Sequence, residues 1–378
     1  MWLSTEEALR RLGVKPQTLY ANVSRGRINA RPDPADPRRS LYDGADVDRM
    51  ARRPSGRRRA DAVAAGAIDW GDPVLPSAVS TVEGGRLFYR GRDAVELSRT
   101  ATLEQVADLL WGGYALAAVP AAACAGDTPI ASALLALAGR VATDPPSLYR
   151  SPQALREDAA QVLATLADAL LGPGPGELHQ RLAAALGRPG AADDLRCALV
   201  LLADHELNAS TFAARVAVST GAPLAAGALA GLASLLGPRH GLASTAVAVL
   251  AEEFDGPPAD PAQRLRDWLG EGRVVPGFGH RLYPRGDARA AALLQRVRLP
   301  PAFAALAEAA GIVVAEPPNI DFALVALAAA HHLPVSAPTT IFALARAVGW
   351  LAHMLEQAQN GVLIRPRARY TGIRPPLR

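Results

Sequence analysis

Cysteine is nearly absent from this 378-residue chain: there are two, Cys124 and Cys197. That leaves no disulfide framework and no cysteine-based metal site, and it suits a reducing, cytoplasmic setting. Lysine is scarcer still, with Lys15 alone, so arginine supplies nearly all the positive charge. Apolar runs of membrane length are lacking too. The longest stretch without Asp, Glu, Lys, Arg or His, Val216–Pro238, draws on Ala, Gly, Ser and Thr as much as Leu. It reads as close-packed buried helix broken by glycines, and not as a span. The opening MWLSTEEALRR has acids where an export signal needs an apolar core. No period of 20–50 residues repeats, which excludes a solenoid. Nucleotide and nucleophile signatures of the GxGxxG, GxxxxGK[ST] and GxSxG types are missing as well.

Half of the residues are apolar and 20% are charged, a balance that excludes wholesale disorder and allows a sizeable core. A net charge of +4 is too small to make the whole chain a nucleic-acid binder. The charge is unevenly placed. Residues 1–60 hold 14 Lys+Arg against 7 Asp+Glu, whereas the remaining 318 hold 26 against 29. A small basic module therefore precedes a faintly acidic body.

In the module, Ser4 or Thr5 is placed to cap a helix with Ala8, Leu9 and Leu12 on its apolar face. Gly13-Val14 then turns the chain, and Pro16 opens a second helix, PQTLYANV. The segment GRINARPDPADPRRSLYDGADVDRM suits a two-stranded wing and a third short helix. Over residues 2–54 this resembles the winged helix-turn-helix of the MerR and excisionase type. That resemblance implies DNA as a partner, with Gln17, Thr18, Tyr20 and Asn22 near the exposed side of the second helix and Arg25, Arg27, Arg31, Arg38 and Arg39 toward phosphates. A helical appendage with solvated arginines is the competing reading. RRPSGRRRA at 52–60 reads as a charged hinge.

The body, from about residue 74, is mainly α. TLEQVADLLW, PQALREDAAQVLATLADALL, DLRCALVLLADHELNASTFAARVAVST and APLAAGALAGLASLL carry helical stripes, and AVSTVEGGRLFYRG reads as strand, Gly-Gly turn, strand. Four segments break the pattern. Asp204, His205, Glu206, Asn208 and Ser210 interrupt an apolar helical run, a costly cluster unless bonded to itself or to a ligand. His240 stands at a helix entrance, where the neutral imidazole is favoured and can donate a hydrogen bond in an enolising site. His280 sits among glycines, prolines and arginines in VVPGFGHRLYPRGDARA, a loop able to hold it beside anionic groups. In EPPNIDFALVAL, Asn319 caps a helix with Asp321 in its first turn, which is equally ordinary capping.

Together, RLFYRGRD, ADHELNASTFAARV, GPRHG, PGFGHRLYPRGDARA, PNIDF, FALARAVGWLAHMLEQ and IRPRARYTG are similar, in order, to the citrate synthase family, which includes 2-methylcitrate synthases. The resemblance covers about residues 74–378. It implies a two-domain helical subunit in an interlocked homodimer, with a large domain over 74–240, a small domain over 241–330, and a return to the large domain with a C-terminal arm over 331–378. It further implies condensation of oxaloacetate with acetyl-CoA, or propionyl-CoA in the 2-methylcitrate case, followed by thioester hydrolysis. No permanent cofactor, metal or membrane partner is implied. Asp321 then matches the base, His240 the enol-stabilising histidine and His280 the carbonyl-polarising one. His205, Arg289, Arg346 and Arg365 match the oxaloacetate ligands, Arg365 reaching the neighbouring subunit. Arg281 and Arg285 are candidates to meet CoA phosphates. Trp350 and His353, at i+4 and i+7 from Arg346, either line the cleft or pack behind the arginine. Ser244 and Ala288 stand where relatives often carry Asn and Pro, and ALVAL replaces a polar stretch after PNIDF. A DNA-binding regulator with a metabolite-sensing body, and an inactive partner of another synthase subunit, are the competing functions.

Overall fold

The computed structural model describes residues 2–12, 19–20, 22–23, 28–34, 36, 39–51, 75–113, 126–255, 260–368 and 371–372, with only the backbone of 49–51. Two compact units divide the chain: Met1–Pro76 with Arg367–Arg378, and Ser77–Pro366.

In the smaller unit β1 (Trp2–Leu3) leads into α1 (Thr5–Leu12). Ser4 starts this helix: its hydroxyl accepts from the Glu7 amide at 3.3 Å, while the Glu7 carboxylate accepts from the Ser4 amide at 2.9 Å. β2 (Ala30–Pro32) and β3 (Ser40–Asp43) pair antiparallel, and β1 flanks β3 in the order β1-β3-β2. α2 (Gly44–Ala51) follows. Leu3, Ala8, Leu12, Leu19, Ile28, Tyr42 and Val47 form a core of their own. Residues 19–20 and 22–23 are helical and Tyr20 is exposed. Gln17, Thr18, Arg25, Arg27 and Arg38, with the Gly13-Val14 turn, lie outside the described residues. What is described does not by itself identify a winged helix-turn-helix.

The larger unit is mainly α. β4 (Ser80–Glu83) and β5 (Arg86–Tyr89) make the expected hairpin around Gly84-Gly85, with Ser80 opposite Tyr89. β6 (Arg92–Asp93) adds a third strand that no sequence signal marks. Asp93 caps α3 (Ala94–Ser98), and Thr102 with Gln105 forms a capping box on α4 (Leu103–Leu110), whose Leu103, Val106 and Leu110 are buried. Then come α5 (Pro129–Thr143), α6 (Pro152–Leu171), α7 (Leu178–Ala185) and α8 (Ala192–Leu202). α9 (Ala209–Ser219), α10 (Leu224–Leu235), α11 (Ala243–Glu252), α12 (Pro261–Gly270) and α13 (Ala288–Leu294) follow. α14 (Pro301–Val313), α15 (Ile320–Ala330) and α16 (Ala337–Asn360) complete the unit.

Two hydrophobic cores support it. The larger gathers α3–α10, α13, α15 and α16 around Trp350, Leu199, Leu232 and Leu344. The second joins Val247, Leu250 and Phe254 of the α11 region to Trp268, Phe303, Leu306 and Phe322. α16 runs buried through most of its length. α10 reaches it closely because Gly231 has no side chain, where a Cβ would stand 2.8 Å from the Trp350 ring. The glycines in the uncharged stretch thus mark helix contact, as the composition suggests. No helix among the described residues is long and apolar enough to cross a membrane.

One expectation is corrected. Of the polar run, residues 204–208 do not sit inside a helix, since α8 ends at Leu202 and α9 begins at Ala209; only Ser210 is helical, in the first turn of α9. The cause is local. Asn208 accepts from the Thr211 amide as an N-cap, and Glu206 holds φ +49°, which no helix interior accommodates.

Candidate active site

The turn between α8 and α9 is built by its own polar groups. Asp204 and Glu206 point back to the β4 strand: Ser80 donates to Asp204 at 2.5 Å, and the Glu206 carboxylate accepts from the Val82 amide at 2.6 Å. Asp204 also meets His353 Nε2 of α16 at 3.1 Å, with both side chains fully buried. Gly349, one helical turn before His353, allows this approach, because a Cβ there would collide with Asp204 Oδ1 and the Ala203 carbonyl. Four of the five polar residues in the run are therefore held by the protein. His205 is left projecting between them, and its Nε2 lies 2.8 Å from the Tyr283 hydroxyl.

Trp350 and His353 follow Arg346 along α16 and are fully buried. Trp350 Nε1 donates to Ser210 Oγ at 3.0 Å, and the same oxygen lies 2.7 Å from His240 Nε2. His240 comes from the turn between α10 and α11, three residues before the helix starts. Its ring packs edge-on against Phe342, centroids 5.9 Å apart. Burial, with help from the Arg346 charge, brings its imidazolium pKa down to about 4.

His280 belongs to the loop before α13. This loop is laced to the start of α15: Gly279 N–H donates to the Pro317 carbonyl at 2.9 Å, Asn319 N–H to Gly277 at 2.9 Å, and the Asn319 amide to Gly279 at 3.0 Å. The Leu282 amide donates to His280 Nδ1 at 3.1 Å. An Nδ1 that accepts cannot carry the proton, so neutral His280 presents Nε2–H. Burial, and then Arg289, lower its pKa to about 4 as well. The His205 and His280 rings meet edge-on, centroids 5.3 Å apart.

Asp321 occupies the first turn of α15, and Asn319 caps the helix by accepting from the amides of Asp321 and Phe322. Its cap position does not make it an ordinary surface carboxylate. Burial pushes its pKa up to about 6, against the pull of Arg289 and Arg346. Those two arginines are nearly inaccessible, at 2% exposure each. Arg289 is gripped by Asp287 through Nε at 3.0 Å and Nη2 at 2.8 Å, and Arg346 Nε donates to the Leu202 carbonyl at 2.9 Å. His205 feels Arg289, Arg346, His280 and His240 together, and after burial these charges hold it well below the ordinary imidazole value.

Six of the seven residues expected in the site are linked through the charges of Arg289 and Arg346: His205, His240, His280, Asp321 and the two arginines themselves. The seventh, Arg365, does not join them in this chain. It is exposed in the extended segment after α16, with no hydrogen bond or ion pair to the described residues. Arg285 reaches the Gly84 carbonyl at 3.5 Å, and Arg281 is exposed. Sequence reasoning passed over Tyr283 and Asp287. The signal for both was their place in GHRLYPRGDAR, one turn after His280 and two residues before Arg289. Among the described residues no group of three or more His, Cys, Asp or Glu side chains could hold a metal ion.

Chemically, the cluster offers a carboxylate of raised basicity, neutral imidazoles and two buried guanidinium groups. Such a set can abstract a weakly acidic C–H proton, stabilise the oxyanion that results, and bind an adjacent dianion.

Residues 130–367 match the family model described as "Citrate synthase, C-terminal domain". The chain is 39% identical over 197 residues to a citrate synthase of Haloferax volcanii, a match covering 48% of this chain and 50% of that protein. It is 34% identical over 197 residues to 2-methylcitrate synthase 2 of Corynebacterium glutamicum, covering 49% and 50%. The chain thus spans about half the length of the curated relatives it matches. Among solved structures, citrate synthase from Thermotoga maritima superposes with a TM-score of 0.64 at 27% identity, covering 80% of this chain and 94% of that one. The citrate synthase of Thermoplasma acidophilum, in ternary complex with carboxymethyl coenzyme A and oxaloacetate, has a TM-score of 0.66 at 24% identity, which shows a shared fold. It covers 80% of this chain and 95% of that one.

Proposed function

The chain belongs to the citrate synthase family, whose model spans residues 130–367, and from that premise we propose that it condenses acetyl-CoA with oxaloacetate and hydrolyses the resulting thioester to citrate and CoA. The observation that carries this reading is that Asp321, at a pKa of about 6, and His240 and His280, each at about 4, all feel the buried charge of Arg289 or Arg346. A thioester α-carbon is a weak acid, so a carboxylate alone removes its proton poorly. Asp321 takes the proton while charge grows on the thioester oxygen, and neutral His240 meets that charge with a hydrogen bond. Ser210 Oγ, 2.7 Å from His240 Nε2, fixes the orientation of the His240 ring for this purpose. His280 donates from Nε2–H to the ketone oxygen, making that carbon electrophilic as the enol attacks. Arg289 and Arg346 bind the ketoacid carboxylates from fixed positions, one held by Asp287 and the other by Leu202. Water then attacks the citryl thioester and CoA leaves.

Purified protein mixed with oxaloacetate and acetyl-CoA is expected to release free thiol. A preparation that releases none with either acetyl-CoA or propionyl-CoA overturns the proposal. Activity with propionyl-CoA is the second reading, and the 2-methylcitrate synthases among the relatives favour it. One extra methylene is a modest discrimination for a pocket, so the ratio of kcat/KM values decides between the two.

The exposed position of Arg365 supports a homodimer in which this arginine completes the partner's site. Neither Asp321→Ala nor Arg365→Ala subunits alone should turn over, whereas mixed dimers of the two carry one intact site and recover activity. The second core, over residues 247–326, supports a small domain at 241–330. For residues 1–60 the charge excess and the separate core support a helix-turn-helix contact with DNA through the exposed Tyr20 and its neighbour Asn22. Binding that falls steeply with salt and depends on sequence, read by mobility shift, is the result expected; its absence at moderate salt removes this reading.

A further inference from the structure

Tyr283 touches three of the groups in this cluster, His205, His280 and Arg289, yet nothing in the chemistry above uses it. Its ring lies 4.9 Å from the His280 ring, and the Arg289 guanidinium sits 4.9 Å over its other neighbourhood of π density. Its hydroxyl is 2.8 Å from His205 Nε2. The residue is held in a turn, with its amide donating to the His280 carbonyl at 2.9 Å and its own carbonyl accepting from Gly286 at 2.9 Å. Only 1% of Tyr283 is exposed.

The hydrogen of a buried phenol needs an acceptor, and leaving it unmade is costly. Among the described residues the one hydrogen bond of this hydroxyl is to His205 Nε2. If Nε2–H donated to the phenol oxygen, the phenolic hydrogen would have no acceptor. The arrangement that satisfies both groups has Tyr283 donating to a bare Nε2. Burial raises the phenol to about 12, so it stays protonated, and His205 is held neutral by burial and four surrounding positive or neutral-donor groups. A neutral imidazole with a bare Nε2 carries its proton on Nδ1. An anionic ligand needs a donor there, since a bare nitrogen would repel it.

We propose that Tyr283 is a positioning residue that fixes the His205 proton on Nδ1 and thereby makes this imidazole a hydrogen-bond donor toward the bound ketoacid. The inference rests on the reading that the cluster takes a ketoacid dianion. Tyr283 acts through His205 and does not itself touch substrate.

Tyr283→Phe keeps the ring and its packing and removes only the hydroxyl. Loss of the tautomer bias is expected to raise the dissociation constant for oxaloacetate roughly tenfold, and its KM in step, with kcat and the acyl-CoA KM changed by less than about twofold. A purely structural role would instead lower thermal stability and leave the ketoacid affinity of the folded variant unchanged, which overturns the proposal. The wild-type protein supplies an independent readout. With histidine labelled in 15N and the His205 signals assigned from His205→Asn, the ring spectrum at neutral pH should show Nδ1 protonated and Nε2 not. A protonated Nε2 overturns the proposal whether or not Tyr283→Phe folds. Should the protein bind no oxaloacetate at all, the ketoacid reading of the cluster fails, while the ring spectrum still decides which nitrogen Tyr283 controls.

Discussion

The Asp287 carboxylate accepts from the Ile320 amide at 3.2 Å, and so ties the first turn of α13 to the first turn of α15. The same carboxylate holds Arg289 through two hydrogen bonds. One buried side chain thereby sets the distance between Arg289 and the residue before Asp321. Asp287→Ala leaves Arg289 charged and unpaired in a buried place, so unfolding free energy should fall by about 3 kcal/mol. Asp287→Asn keeps an acceptor for Ile320 and should lose less. Thermal unfolding measures the first effect, and the oxaloacetate KM, raised in both variants, measures the second.

Asp321 gives the pH dependence its sign. Its folded value of about 6 lies above the ordinary 3.8, so the folded chain holds this proton more tightly than the unfolded one. The stability linked to it is present at low pH and is lost as pH rises from about 4 to about 6. Asp321→Asn should therefore be more stable than the parent at pH 7, on the order of 3 kcal/mol, with the gap closing below about pH 4. His240 and His280 work the other way, since their values are lowered from 6.5 to about 4. Their contribution is complete above pH 6.5 and is lost as pH falls through about 4. Chemical denaturation across this range reads both limbs.

The same carboxyl is the base in the proposed reaction. As a base Asp321 must be ionised, so kcat/KM should fall as pH drops below about 6, with no second break from the imidazoles until about pH 4. Asp321→Ala should lower kcat by roughly 1000-fold or more while oxaloacetate still binds. Loss of ketoacid binding in that variant would mark Asp321 as structural.

Ser210 orients His240 and is itself fixed by Trp350. Ser210→Ala removes the partner of His240 Nε2, frees the imidazole to reorient, and should lower kcat by roughly 10–100-fold with smaller changes in KM. An unchanged kcat would show that His240 needs no such partner.

Gly349 lets α16 lie against Ala203 and Asp204. Gly349→Ala places a methyl where backbone and carboxylate already stand, and should cost about 1–3 kcal/mol with a fall in Tm of several degrees. Because the displaced turn carries His205, the oxaloacetate KM should rise as well. Gly139→Ala, where a Cβ meets nothing within 4 Å, is the control.

Local chemistry left clear marks in the sequence. Ser4, Thr102, Ser151 and Asn319 start helices because a side-chain oxygen beside unpaired amides is a signal contained within four residues. The apolar spacing of α4 and α6 and the Gly84-Gly85 hairpin are local in the same sense. The break at 203–208 was obscured, because Ala203 and Leu207 continue an apolar rhythm that only Glu206 φ and the Asn208 cap interrupt. Tyr283 and Asp287 were legible as neighbours of His280 and Arg289, but not as their partners.

What the amino-acid order determined by itself was the supply of groups: an aspartate in a first turn, histidines near turns and glycines, arginines with few lysines. Side chains tens of residues apart acquire shifted proton affinities only when the folded chain removes water from around them and sets charges at a few ångströms. Tertiary structure therefore decided that the Asp321 carboxyl is raised to about 6, that His280 carries its proton on Nε2, that His353 and Trp350 are fully buried, and that Arg365 stands apart from the other six. Burial and hydrogen-bond direction are properties of the assembled packing, and no linear window of this sequence contains them.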